Sequence, residues 1–221
     1  MNRTRRLFNF VLGSLTCLLL ISFSIPSLGK TLTSIGLRNN PDIFSASELT
    51  QIASAQTLIN QHLDSNWQAA ESVLVAQGMM ESSTMKRYRV MLTRDKVVGS
   101  APMTSAFGTA GAVLVGNRLV LRGDFSGLSS ALRDYGTDPV SPPNPNITSA
   151  VHIHRGATTE NGPFQYALKV MLNQGGLSGR FAGEYTLSDE QLQALEGGKL
   201  YMDIHTKQNR AGELRGLLQA V

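Results

Sequence analysis

The 221-residue chain contains one cysteine, Cys17, which lies in an apolar run near the N-terminus. If that run is removed, the mature protein has none. Disulfide stapling, thiolate nucleophiles and cysteine-ligated zinc or iron–sulfur sites are then excluded, and burial and sheet hydrogen bonds must hold the fold. Acidic residues are missing from the first 29 positions, which carry Arg3, Arg5 and Arg6. The formal charge of +4 therefore belongs mostly to this leader: without those arginines, 17 basic residues face 16 acidic ones. The sequence pI near 9.4 is then no pointer to nucleic acid, and no nucleic-acid partner is expected.

Familiar catalytic patterns are also missing. Gly123-Asp124-Phe125-Ser126-Gly127 carries its serine one place too late for a nucleophile elbow. Gly108-Thr109-Ala110-Gly111 lacks the lysine and spacing of a phosphate loop. No carboxylate pair stands out as a hydrolase dyad, and there is no internal repeat. The reading leans away from an enzyme.

The leader itself is informative. Positions 7–25 carry no charge, Pro26 breaks the run, and Ser27-Leu28-Gly29 supplies small residues at a cleavage position. Residues 1–29 read as a secretory signal peptide. The alternative is an uncleaved signal anchor, because the run is near the shortest that spans a bilayer. Thr16 before Cys17, and the apolar residues after it, argue against lipid attachment. Either way the bulk of the protein is expected outside the cytoplasm, secreted or periplasmic, with membrane contact only through residues 7–25 if they are retained.

Residues 30–41 read as a linker and 42–80 as a helical segment. Ser45 and Glu48 offer a capping box, and Leu49, Ile52, Ile59, Leu63, Trp67, Ala70 and Leu74 recur on one helical face. Asp64-Ser65-Asn66 is a candidate break into two helices. His62 reads as a surface or boundary residue. From Met85 the pattern turns to period two. Gly116-Asn117 marks a hairpin. Phe164 to Leu172 alternates as one strand, Gly183 invites a bulge in a strand over 179–187, and a last strand covers 213–220. One helix interrupts at 188–196, capped by Ser188 with Gln191 and ended by Gly197-Gly198. The prolines at 139, 142, 143 and 145 require an irregular loop; Asn146-Ile147-Thr148 follows as a glycosylation sequon, meaningful only if the source is eukaryotic. The fold class is mainly β, an antiparallel sandwich with one short helix, preceded by the helical segment.

Three of the four histidines fall in two strand patterns, Val151-His152-Ile153-His154 and Tyr201-Met202-Asp203-Ile204-His205. Alternation puts His152 and His154 on one face, and Tyr201, Asp203 and His205 on one face. Glu213 and Arg215 oppose Leu214 in the segment that follows. Two chemistries fit. Two imidazoles from one strand, joined by His205, make a three-nitrogen site for copper or zinc, with Asp203 or Glu213 supporting it. Alternatively the same residues form a hydrogen-bonded lattice in which Arg215 clamps Glu213 or Asp203 and the histidines donate to carboxylates or loop carbonyls. A third use is a surface for a protein or glycan partner, with Tyr201 and Arg215 as contacts.

Residues 86–221 resemble a CHRD domain, the module named after chordin and found in many bacterial secreted proteins. The resemblance rests on Ala110-Gly111-Ala112, His152-Ile153-His154, Asn161-Gly162-Pro163, the Ser188 helix, Gly198-Lys199-Leu200-Tyr201, His205-Thr206 and Gly212-Glu213-Leu214-Arg215-Gly216. Asp203, Leu217 and Arg155 stand where the family more often has Asn, Gln and Gly. The resemblance implies an immunoglobulin-like β domain outside the cell and no established catalytic residues. Its histidine pattern is also similar to the copper site of Cu/Zn superoxide dismutase, but no histidine remains for the bridging ligand or the zinc loop, so dismutase chemistry is not expected. The sequence thus leads to a non-enzymatic interaction module, with a metal-binding protein as the alternative. Gly111, Gly162 and Gly212 are expected at turns.

Overall fold

The computed structural model describes residues 46–79, 85–157 and 159–221. The expected signal sequence, linker and first helix cap lie outside the described residues. No helix among the described residues is long and apolar enough to cross a membrane.

Helix α1 (Ala46–Ala76) runs without interruption through Asp64-Ser65-Asn66. The expected break is absent because the Asn66 side chain reaches across to another element instead of capping its own backbone. Its amide donates to Asp124 Oδ2 at 2.9 Å and to Thr109 Oγ1 at 3.3 Å. His62, exposed, meets Asp124 Oδ1 at 3.2 Å from the preceding turn. The face bearing Ile59, Leu63, Ala70 and Leu74 is buried, as the three-and-four spacing demands.

Among the described residues, ten strands form two antiparallel sheets. They are β1 (Lys86–Leu92), β2 (Phe107–Val115), β3 (Arg118–Ser126), β4 (Val151–Arg155), β5 (Phe164–Ala167), β6 (Lys169–Leu172), β7 (Gly179–Thr186), β8 (Leu200–Ile204), β9 (Leu214–Leu217) and β10 (Gln219–Ala220). The six-stranded sheet has the order β10-β1-β2-β3-β7-β6, and the four-stranded sheet β5-β4-β8-β9. Their inner faces share one apolar core that includes Val90, Ala112, Leu121, Phe181, Ile153, Met202 and Leu214. The other face of β2 and β3 supplies Val113 and Val120 to a second cluster with Ala70 and Leu74 of α1. Strand β2 is therefore buried along almost its whole length rather than at alternate positions. Helix α2 (Asp189–Glu196) has the expected capping box between Ser188 and Gln191.

Several features of the strands also differ from the sequence reading. The alternating run from Phe164 to Leu172 is two strands in different sheets, with buried Leu168 at the crossing. The last run divides in the same way at buried Leu218, between β9 and β10. Alternation continues through both crossings because the crossing residue still points into the shared core. Gly183 carries no bulge: the β3–β7 register runs unbroken through Leu121–Gly183, and a Cβ there would lie 2.4 Å from the Tyr185 ring. The register shift falls instead between Ile153 and His154 in the β4–β5 pair. Of the three glycines expected at turns, Gly212 has a positive φ of 132°. Gly111 lies in mid-strand, where a Cβ would meet the Trp67 ring at 2.6 Å. Trp67 packs there while its indole donates to Tyr88 O at 2.7 Å.

Candidate metal centre

The four-stranded sheet turns Val151, Ile153, Met202, Ile204 and Leu214 to the core. Strand parity sends His152, His154, Tyr201, Asp203 and Arg215 to the opposite face. The register then sets them side by side: His152 faces Asp203, His154 faces Tyr201, and Asp203 faces Arg215. His205 follows β8 directly, and its N–H donates to Ala150 O at 2.8 Å. Its ring centroid lies 4.9 Å from that of His152 and 6.2 Å from that of His154. One nitrogen from each of the three rings falls within 4.8 Å of the other two. Metal–nitrogen bonds of about 2.0–2.1 Å set tetrahedral ligands roughly 3.3 Å apart, so a pair at that limit would have to close by roughly 1.5 Å to share one ion.

Each ring is held through one nitrogen by a carbonyl oxygen. His152 Nε2 meets Ser149 O at 2.6 Å, His154 Nδ1 meets Gly162 O at 3.1 Å, and His205 Nδ1 meets Arg210 O at 3.0 Å. A carbonyl only accepts, so each of these nitrogens carries the proton. In the neutral ring the other nitrogen keeps its lone pair: Nδ1 of His152 and Nε2 of His154 and His205. Both Nε2 atoms are buried and have no hydrogen-bond partner. Burial, reinforced by the neighbouring imidazole of His205, pushes His152 down to about 3. Burial likewise takes His205 down to about 4 and lowers His154. The rings are thus neutral at pH 7, the form that binds metal.

Aromatic rings close around the triad. Tyr135 lies 5.3 Å from the His152 ring, Phe164 meets the same ring edge-on at 5.3 Å, and Tyr201 stacks on His154 at 5.2 Å with an interplanar angle of 8°. Tyr135 and Ser149 also line a cleft of about 600 Å³ under the proline-bearing loop, which therefore adjoins the triad.

The polar residues expected beside the histidines divide into two groups. Arg215 clamps Asp203 with both carboxylate oxygens engaged, at 2.7 and 2.8 Å. Glu213, just before β9, is no part of that clamp. It accepts from Ser129 N, Ser129 Oγ, Thr104 Oγ1 and Thr206 Oγ1, each at 2.7 Å, and from Asn209 Nδ2 at 3.1 Å. Burial alone would raise this carboxyl, but the hydrogen bonds outweigh it and hold Glu213 below the usual range. Tyr201 and Arg215, named as partner contacts from the sequence, are 0 % and 1 % exposed, so neither presents a surface.

Sequence reasoning expected the histidines to donate to carboxylates or loop carbonyls, but missed Tyr135, Phe164 and which three carbonyls these are. Tyr135 had one signal, a lone aromatic in a polar, proline-rich stretch. A carbonyl has none, because every residue carries one.

Residues 88–218 match the family model of the CHRD domain. No curated protein and no solved structure matches the chain. The match covers more than half of the chain and takes in the four-stranded sheet, the six-stranded sheet apart from β10 and the start of β1, and all three clustered histidines, and the protein belongs to the CHRD domain family.

Proposed function

We propose that this CHRD domain is a binding module whose ligand is a transition-metal ion, copper or zinc, held by His152, His154 and His205 outside the cytoplasm. The observation that carries the reading is the pair of buried, unpartnered Nε2 atoms on His154 and His205. A buried polar atom without a partner costs about 1–3 kcal/mol. Two such lone pairs, in a cluster where one nitrogen of each ring lies within 4.8 Å of the others, make sense when a cation accepts from all three rings. Imidazole nitrogen suits copper and zinc, and a three-histidine set leaves a fourth position for water or an outside ligand. The carbonyl behind each ring is the usual outer partner of a ligating histidine. The extracytoplasmic setting is supported by the arginine-led apolar run and a chain otherwise free of cysteine. A protein or glycan partner ranks below the metal, because the two side chains that would have greeted it are buried.

Elemental analysis tests this. Purified protein is exposed to excess copper or zinc and desalted. The expected result is one equivalent of metal in the wild type and its loss in His154→Ala. Metal-free wild-type protein, or undiminished metal in His154→Ala, would overturn the reading.

A further inference from the structure

The two buried carboxylates Asp203 and Glu213 centre two separate hydrogen-bond hubs, and each hub ties down the segment whose carbonyl holds one histidine. The first begins at Asp203. Its clamp on Arg215 leaves the guanidinium free to donate from Nη1 to Glu160 O at 2.9 Å and from Nη2 to Asn161 Oδ1 at 2.8 Å. The guanidinium also lies over the Tyr201 ring, 4.3 Å from its centroid. The Tyr201 hydroxyl accepts from Gly162 N at 2.7 Å. Gly162 O then accepts from His154 Nδ1. Three consecutive residues, Glu160, Asn161 and Gly162, are pinned from below. The approach is so close that a Cβ on Gly162 would fall 1.8 Å from Arg155 O.

The second hub begins at Glu213. Thr206 and Asn209 donate to it, and Thr206 Oγ1 in turn accepts from Asn209 N at 3.1 Å. Asn209 O accepts from Gly212 N at 3.1 Å and from Thr206 N at 3.2 Å. The turn from Thr206 to Gly212 is thereby tied to one carboxylate. Arg210, inside that turn, presents its carbonyl to His205 Nδ1. Among the described residues no side-chain hydrogen bond joins the Asp203–Arg215 hub to Glu213.

We propose that these hubs are independent positioning devices, Asp203–Arg215–Tyr201 for His154 and Glu213–Thr206–Asn209 for His205, each fixing which ring nitrogen faces the shared centre. The functional meaning rests on the metal reading above, while the tautomers themselves do not. Two of the three rings, His154 and His205, each rest on a segment tied to a different hub, while His152 meets Ser149 O outside both.

The test uses Tyr201→Phe and Thr206→Val in the full chain, with nitrogen-15 imidazole spectra of the metal-free protein and titration with zinc alone. Wild-type His154 and His205 are expected in the Nδ1–H tautomer. Tyr201→Phe mixes the tautomers of His154 and leaves His205 unchanged; Thr206→Val does the reverse. Each lowers zinc affinity by about 10-fold, the scale of an outer-partner loss. Should Thr206→Val fail to fold, Asn209→Ala, at a half-buried position, carries the same expectation. The inference is overturned if either variant disturbs both rings, or if melting temperature falls with neither tautomer altered. A wild type that binds no zinc but keeps the crossed tautomer pattern would sink the metal reading and leave the positioning inference standing.

Discussion

The outer faces of the two sheets are closed in opposite ways. The six-stranded sheet is covered by α1, whose Ala70 and Leu74 meet Val113 and Val120. The four-stranded sheet is covered by loops, and what it buries is imidazole, guanidinium and carboxylate. The contrast follows from where spare backbone groups are found. A helix spends its carbonyls on itself, so it can seal an apolar face but offers no acceptor to a polar one. Loops have carbonyls to give. Ser149, Gly162 and Arg210 each give one to a histidine, and Glu160 gives one to Arg215. The polar face can be closed only by irregular chain, and the candidate site lies where that chain converges.

The comparison breaks most sharply at the buried ion pair. Asp203→Ala strands the Arg215 guanidinium and is expected to cost about 3–5 kcal/mol, read from urea unfolding. A loss no larger than that of a surface substitution would mean that the loops do not depend on the pair. On the helical side, Leu74→Ala is expected to cost about 2–5 kcal/mol through lost burial and a cavity. Metal stoichiometry should be untouched by it, since α1 seals the other sheet; a parallel loss of metal would erase the distinction between the faces.

A third expectation separates the faces by pH. The folded-state Glu213 carboxyl lies below its ordinary value of 4.5. Its contribution is therefore fully present above about pH 4.5 and is lost as pH falls through the folded-state value. Glu213→Gln should lower stability at neutral pH and flatten the acid limb of the stability curve. An acid limb as steep as the wild type's would assign the acid sensitivity elsewhere. The smallest effect is expected at Ser188→Ala, which removes the α2 cap for about 1 kcal/mol and leaves both outer faces alone. It serves as the control for stability loss without change at the site.

Much of this architecture is written in local pattern. The α1 face, the Gly116-Asn117 hairpin, the Ser188–Gln191 cap and the parity of His152, His154, Tyr201, Asp203 and Arg215 follow from periods of 3.6 and 2. Which sheet a strand joins is not local. Leu168 and Leu218 keep the alternation while the chain changes sheets, so each pair of strands reads as one. Choosing between Asp203 and Glu213 as the partner of Arg215 likewise required the register, which sets Asp203 directly opposite Arg215. The loop carbonyls lay beyond any reading of side-chain identity, although they decide which nitrogen of each ring is offered.

X-ray absorption at the metal edge of the loaded protein tests the central claim most directly. Three imidazole nitrogens at about 2.0 Å, lost together with the metal in His205→Ala, is the result expected here. A shell made of oxygen alone, or one unchanged in His205→Ala, would contradict it.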